Sequence, residues 1–144
     1  MLEQKFNLLS LFLLMENRSY VSLLQIFLLM LLSSINYSSQ LDVECLKTIK
    51  QTLKDPSGSL TNSWNFHNTT DGFICHFNGV ECWNPGENKV LNLQLSNMGL
   101  EGEFPSGLEN CTSITGIDLS YNSVTGPLPA DISKKIPYVT NLDL

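Results

Sequence analysis

Between Val90 and Pro129 the chain repeats itself. Leu93, Leu95, Leu100, Gly102, Phe104 and Pro105 recur 24 residues later as Ile117, Leu119, Val124, Gly126, Leu128 and Pro129. A third copy begins at Val139-Thr-Asn-Leu142-Asp-Leu144, one residue out of step. This periodicity constrains the fold more tightly than composition can. Leu93 and Leu95 lie two apart, so both point to one face of a short strand, and Asn92, Gln94 and Ser96 point to the other. One coil cannot bury its leucines alone; stacked coils bury them against each other in a continuous core. The expected architecture is an α/β solenoid with short parallel strands.

The Leu-x-x-Leu-x-Leu spacing at a period of about 20–29 residues is the signature of a leucine-rich repeat. Asn122 stands where such a repeat turns an amide inward, with donors and an acceptor for the backbone of the neighbouring coil. The first coil has Met98 there, a departure expected of a terminal coil. Gly102 and Gly126 permit a tight bend, and Pro105 and Pro129 fix φ as the chain leaves it. The outward strand positions, Asn92, Gln94, Gly116, Asp118, Asn141 and Asp143, with Ser96, Ser120 and Tyr121 just beyond, define a concave face. In this repeat class partners dock there. Candidate partner contacts are therefore Asn92, Gln94, Asp118, Tyr121, Asn141 and Asp143, with Tyr121 as the aromatic anchor. The competing reading is that they are solvated polar side chains. Two coils fall short of the roughly 800 Å² per partner of a standard interface, so binding would need further repeats.

The ends of the chain differ in character. Residues 1–39 are rich in Leu, Met, Phe and Ser and read as a targeting segment: Arg18, then the apolar run Val21 to Leu32, then Ser33, Ser34, Ser38 and Ser39. The run is shorter than the roughly 20 residues of a spanning helix. A second apolar run, Phe6 to Met15, precedes it, and Met15 is an alternative start. A membrane-embedded hairpin or signal anchor is the competing reading. From Gln40 onward there are 12 acidic and 6 basic residues, so the net charge of −6 resides there. An acidic surface without a Lys/Arg cluster argues against nucleic acid and anionic lipid as partners.

All four cysteines, Cys45, Cys75, Cys82 and Cys111, follow the targeting segment. In a secreted chain an even count implies disulfides. A Cys75–Cys82 bridge would close a short loop; Cys45 and Cys111 would pair or remain buried thiols. Three connectivities are open. Asn36-Tyr-Ser38, Asn68-Thr-Thr70 and Asn110-Cys-Thr112 match the N-glycan acceptor pattern, and Asn68 and Asn110 are the candidates retained in the mature chain.

Residues 40–89 suit a cap over the open end of the repeats at 90–144. Asp42 is placed to cap a helix with Val43, Leu46, Ile49 and Leu53 on its apolar face, ended by Asp55-Pro56. Phe73 to Trp83 is expected to form a tight, bridged strand pair. The other end carries no cap: Leu144 lies inside the third strand, which implies a solenoid truncated at its C-terminal end.

These residues also carry a family resemblance. Glu44-Cys-Leu46-Lys-Thr-Ile49, Asp55-Pro56, Leu60-Thr-Asn-Ser-Trp64 and Cys75-His-Phe-Asn-Gly79-Val80-Glu-Cys82 resemble the N-terminal cap of plant leucine-rich-repeat receptors. Leu-x-Gly-x-(Phe/Leu)-Pro at residues 100–105, with Val124 in the leucine's place at 124–129, resembles the plant form of the repeat. Cys82-Trp83-Asn84, Glu87-Asn88 and Leu93-Gln-Leu95-Ser-Asn-Met98-Gly-Leu100 look like the inactive receptor-like kinases of the BIR type. The resemblance implies a plasma-membrane protein with an extracellular solenoid, one spanning helix and a kinase-like domain. Its partner would be a co-receptor kinase ectodomain of the somatic-embryogenesis type, held away from ligand-binding receptors to restrain immune and growth signalling. Two other readings stand beside it: a secreted protein similar to the polygalacturonase inhibitors, and a truncated duplicate without independent function.

Nothing in the sequence marks catalysis or a cofactor. It has no Gly-rich phosphate loop, Val-Ala-x-Lys or His-Arg-Asp. His67 and His76 are the only histidines, and Cys75-His76 with Cys82 lacks the spacing of a zinc pair. No catalytic, cofactor or metal residues are expected.

Overall fold

A computed structural model describes residues 18–144, with side-chain surroundings for residues 20–30 and 40–144. The alternative start at Met15 and the apolar run Phe6 to Met15 lie outside the described residues. The chain divides into two compact units, Met1–Tyr37 and Ser38–Leu144. The described part of the first unit is helical and exposes Leu23, Leu24, Phe27, Leu28, Leu29 and Met30. Among the described residues, no helix is long and apolar enough to cross a membrane.

The second unit starts with the end of helix α1 (Arg18–Thr52). Its residues Val43, Leu46, Ile49 and Leu53, spaced three and four apart, are all buried against the first coils. Besides two 3-10 turns, seven short strands and helices follow. They are β1 (Val80–Cys82), β2 (Val90–Gln94), β3 (Glu101–Glu103), β4 (Gly116–Asp118), β5 (Ser123–Thr125), the one-turn helix α2 (Ile132–Lys135) and β6 (Asn141–Asp143).

The strands form a sheet in the order β1-β2-β4-β6 and a separate pair, β3-β5. Strands β2, β4 and β6 are parallel, and their register puts Leu93 beside Ile117 and Ile117 beside Leu142. The 24-residue period is thus a spatial translation, with each coil placing its leucine above the one before. Leu93, Leu95, Ile117 and Leu119 are each no more than 2% exposed. With Leu100, Leu108 and Ile114 they make a core continuous with the cap residues Leu60, Trp64 and Ile74. Leu142 and Leu144, at 36% and 55% exposure, lie at the far end of this stack.

Asn122 ties the coils together. Its Oδ1 accepts from the N–H groups of Met98 and Leu100 at 3.1 and 3.0 Å. Its Nδ2 donates to the carbonyls of Leu95, Leu119 and Ser120. Met98 has no amide to offer, and the cap replaces it: the Ser57 and Ser59 hydroxyls donate to the Met98 carbonyl at 2.6 and 3.3 Å. A second join is a two-way backbone bond between Lys54, past the end of α1, and Glu101 of β3.

Two local expectations need correcting. Asp42 does not cap a helix: α1 runs through it from Arg18. The preceding Leu- and Met-rich run favours helix, and no Pro or Gly breaks it before Asp55-Pro56. Asp42 instead turns inward, fully buried, and its carboxylate accepts from the Val90 N–H (2.7 Å), the Thr112 N–H (2.9 Å) and the Thr112 hydroxyl (3.2 Å). Those donors are what a carboxylate needs once it leaves water.

Nor is Phe73 to Phe77 a strand. Phe73–His76 is a turn of 3-10 helix entered through Gly72, whose φ of +72° and close approach to the Pro85 carbonyl exclude a side chain. The strand partner of β1 is β2, antiparallel to it. The Cys75–Cys82 disulfide therefore pins a helical turn to the sheet's first strand. Cys45 and Cys111, whose pairing the sequence left open, form the second bridge across 66 residues, from α1 to the second coil.

Candidate partner-binding face

The outward side chains of β1, β2, β4 and β6 share one face. Register aligns Glu81 with Asn92, Asn92 with Gly116, and Gly116 with Asn141 in one row. Gln94, Asp118 and Asp143 form the next. Alternation along each strand produces this: in Val90–Gln94 the leucine at 93 is buried, Asn92 is half-buried and Gln94 is exposed.

Internal hydrogen bonds hold Asn92, Glu81 and Asp118. The Thr115 hydroxyl donates to Asn92 Oδ1 at 3.1 Å, and Asn92 Nδ2 donates to Glu81 Oε2 at 2.7 Å. A Cβ on Gly116 would sit 2.6 Å from Asn92 Oδ1, so the glycine makes the room that Asn92 occupies. In the next row Ser120 donates to Asp118 Oδ1 through both its N–H (2.9 Å) and its hydroxyl (2.6 Å). Its hydroxyl also meets that of Ser96 at 2.9 Å. Hydrogen bonds within the protein thus orient the amide of Asn92 and the carboxylate of Asp118 before any partner arrives.

At the rim stands Tyr121, 86% exposed. It has a positive φ of 56°, as does Asn97, its counterpart one period earlier. Asn tolerates the left-handed region; for a tyrosine the conformation is strained. The Asn122 bonds to both coils impose the local turn and so set the backbone from which an exposed aromatic ring projects beside the face.

All six residues selected from the sequence occupy this face or its rim. Asn141 and Asp143 lie on β6, which pairs with β4 on one side. Glu81 was missed. It lies in the cap, but β1 joins the repeat sheet next to β2 and adds a third carboxylate to the face, beside Asn92 and Gln94. The alternation Val80-Glu81-Cys82, with the charge between two apolar residues, was the available signal. Two other exposed aromatics, Trp83 and Tyr138, also escaped selection. With Thr112, Ser113 and Thr115 they line a groove of about 420 Å³, and the Trp83 indole N–H donates to the Ser113 carbonyl at 3.0 Å.

The glycan acceptors lie on other elements. Asn68 is in the exposed loop before the 3-10 turn, and Asn110 ends a second 3-10 turn, Leu108–Asn110. Among the described residues, no group of three or more His, Cys, Asp or Glu side chains is arranged to hold a metal ion.

Comparison with known proteins follows the same lines. Residues 39–83 match the leucine rich repeat N-terminal domain. A leucine-rich-repeat receptor-like protein kinase of Arabidopsis thaliana is 48% identical over 112 residues, 78% of this chain and 18% of that protein. The inactive leucine-rich-repeat receptor-like serine/threonine-protein kinase BIR2 of Arabidopsis thaliana is 42% identical over 124 residues, 86% of this chain and 20% of that protein. The chain thus spans about a fifth of the length of these relatives. Among solved structures, the BIR2 ectodomain superposes with a TM-score of 0.69 at 47% identity, covering 72% of this chain and 53% of that one. A chain of the Arabidopsis thaliana BIR3–SERK2 complex superposes with a TM-score of 0.66 at 43% identity, covering 72% and 54%. Cap, plant-type repeats, disulfides and parallel strands together place residues 38–144 among the plant leucine-rich-repeat receptor ectodomains, as an N-terminal cap with its first repeats, most like those of the BIR type.

Proposed function

We propose that this chain is the first part of a non-catalytic, extracellular protein-binding module of a receptor-like kinase, and that it docks a co-receptor kinase ectodomain of the somatic-embryogenesis type. The observation that carries the reading is the strand face: three carboxylates, Glu81 in one row and Asp118 beside Asp143 in the next, amide and hydroxyl groups held by internal hydrogen bonds, and the exposed Tyr121 at the rim. No lysine or arginine lies on the four strands, so the face suits a partner surface rich in Lys, Arg and hydrogen-bond donors. The likeness to a chain of the BIR3–SERK2 complex supports a co-receptor as the partner class. The inactive-kinase naming of BIR2 supports a role that does not depend on phosphate transfer. By occupying the co-receptor, such a module would restrain immune or growth signalling.

Residues 1–39 serve, in this reading, as the targeting segment. They deliver the cap (40–89) and repeats (90–144) to the extracellular side, where Asn68 and Asn110 carry glycans. Two disulfides among the described residues support an oxidising compartment.

The test is binding of the secreted chain, extended after Leu144 with the further repeats of a BIR-type ectodomain so that the face reaches standard interface size, to an immobilised co-receptor ectodomain of this type, with Tyr121→Ala and the charge-reversed Asp118→Lys as comparisons. The reading expects measurable binding that each substitution weakens about tenfold or more, as for an interface anchor. Equal binding by all three proteins, each correctly folded, would remove the concave face from the reading.

A further inference from the structure

The fold treats its two glycan acceptors in opposite ways. Asn68 is exposed, and its Oδ1 accepts from the N–H and hydroxyl of Thr70 inside the same triplet, each at 3.0 Å. Both bonds are exposed, lie within the triplet and tie it to no other element. The triplet Asn110-Cys111-Thr112 is tied to the cap at two of its three residues. Cys111 is 5% exposed and bridged to Cys45 of α1. Thr112 gives both its N–H and its hydroxyl to the buried Asp42, also of α1. Asn110 itself is half-buried, with its N–H on the Gly107 carbonyl.

Glycan transfer needs what this arrangement withholds. The asparagine Nδ2 attacks C1 of a lipid-diphosphate-linked sugar. The N–C1 bond forms, the C1–O bond to the diphosphate breaks, and an amide proton passes to a base of the enzyme. The enzyme reads the hydroxyl of the third residue and takes the triplet as an extended, accessible segment. Closing Cys45–Cys111 passes two electrons and two protons from the thiols to the disulfide of an oxidoreductase, which leaves as a dithiol.

We propose that docking of α1 onto the second coil closes the window for glycosylating Asn110: the acceptor is used only before the Cys45–Cys111 bridge and the Asp42–Thr112 bonds form. Asn68 has no such deadline. Occupancy of Asn110 thus records how fast the cap folds relative to passage of the triplet past the transferase. The inference rests on the secretory reading above.

The test is site-by-site glycan occupancy of the full chain made in plant cells, measured by mass after enzymatic deglycosylation in heavy-oxygen water. Three samples are compared: wild type, wild type synthesised during a brief pulse of a membrane-permeant dithiol, and Cys45→Ser. Occupancy is set during synthesis, so a variant that later fails to fold still reports. Asn110 occupancy is expected to rise roughly twofold or more in the second and third samples, with Asn68 unchanged. Asp42→Ala, which keeps both cysteines, gives a smaller rise. Equal Asn110 occupancy in all samples with Asn68 occupied, including full occupancy in wild type, overturns the inference alone. Glycan at neither site in any sample overturns the secretory reading with it.

Discussion

Asp42 and Thr112 are joined twice across 70 residues of sequence: Asp42 Oδ1 accepts both the N–H and the hydroxyl of Thr112. The other oxygen of the same carboxylate takes the Val90 N–H at 2.7 Å. One buried side chain of the cap thus satisfies backbone donors of the first and second coils together.

Removing that carboxylate should be costly. Asp42→Ala strands the Val90 and Thr112 amides in the interior, and each buried unsatisfied donor costs about 1–3 kcal/mol, so a loss of roughly 2–6 kcal/mol is expected. Urea unfolding of wild type and variant measures it. Asp42→Ser should fare little better, since the shorter side chain reaches neither coil.

The same carboxylate makes a pH prediction. Burial raises the Asp42 pKa above its ordinary 3.8, against the opposing effects of the Thr112 and Val90 amides, the Thr112 hydroxyl and Lys89. Below 3.8 the group is protonated folded and unfolded alike. Between 3.8 and the raised value the folded state binds more protons, so its contribution to stability falls as pH rises through that window. Asp55 has the opposite sign. Despite partial burial, the amides and hydroxyl of Thr61 with the Leu60 and Ser59 amides lower its pKa, and its contribution is lost as pH falls below 3.8. The wild-type profile is the sum of the two. Asp42→Asn should remove the fall in stability above pH 3.8 and leave the loss below 3.8, which belongs to Asp55, in place; unfolding free energies measured on both sides of that pH check this.

The two bridges should differ in weight. Chain-entropy arithmetic on sequence separations of 66 and 7 gives about 4 kcal/mol for Cys45–Cys111 and about 2 kcal/mol for Cys75–Cys82. The paired variant Cys45→Ser/Cys111→Ser should therefore lower the denaturation midpoint more than Cys75→Ser/Cys82→Ser. The reverse order would show that pinning β1 to the cap matters more than closing the long loop.

Tyr121 sets stability against binding. Its φ of 56° is costly for a tyrosine and mild for an asparagine, the residue at the equivalent position 97. Tyr121→Asn is expected to stabilise the fold by about 0.5–1 kcal/mol while weakening partner binding. Thermal melts and binding measured on the same preparations separate the two effects.

The solenoid was legible because its physics is periodic: six residues at one offset specify strands, core and face together. The cap was less so. Hydrophobic spacing located the buried side of 43–53, yet the polar residue opening it, Asp42, looks like a local helix cap. Its true partners, Val90 and Thr112, are 48 and 70 residues away. Glu81 escaped for a related reason. Cysteine spacing grouped Val80–Cys82 with the preceding turn, whereas its strand pairs forward with β2. Local patterns report local structure; contacts whose two halves lie far apart leave no periodic trace.

The clearest test of the stacking itself is Asn122. Its amide serves five backbone groups, from Leu95 and Leu100 in one coil to Leu119 in the next. Asn122→Ala leaves the Met98 and Leu100 N–H groups without those partners, and a half-buried network of this kind should cost roughly 2–3 kcal/mol. Met98→Ala, at the equivalent position of the first coil, should cost less than half as much, because Ser57 and Ser59 serve the Met98 backbone carbonyl and not its side chain. Ser57→Ala/Ser59→Ala should then reproduce part of the Asn122 loss at the cap. If Asn122→Ala and Met98→Ala proved equally mild, the amide would be filling space, and stacking of the leucines alone would hold the coils in register.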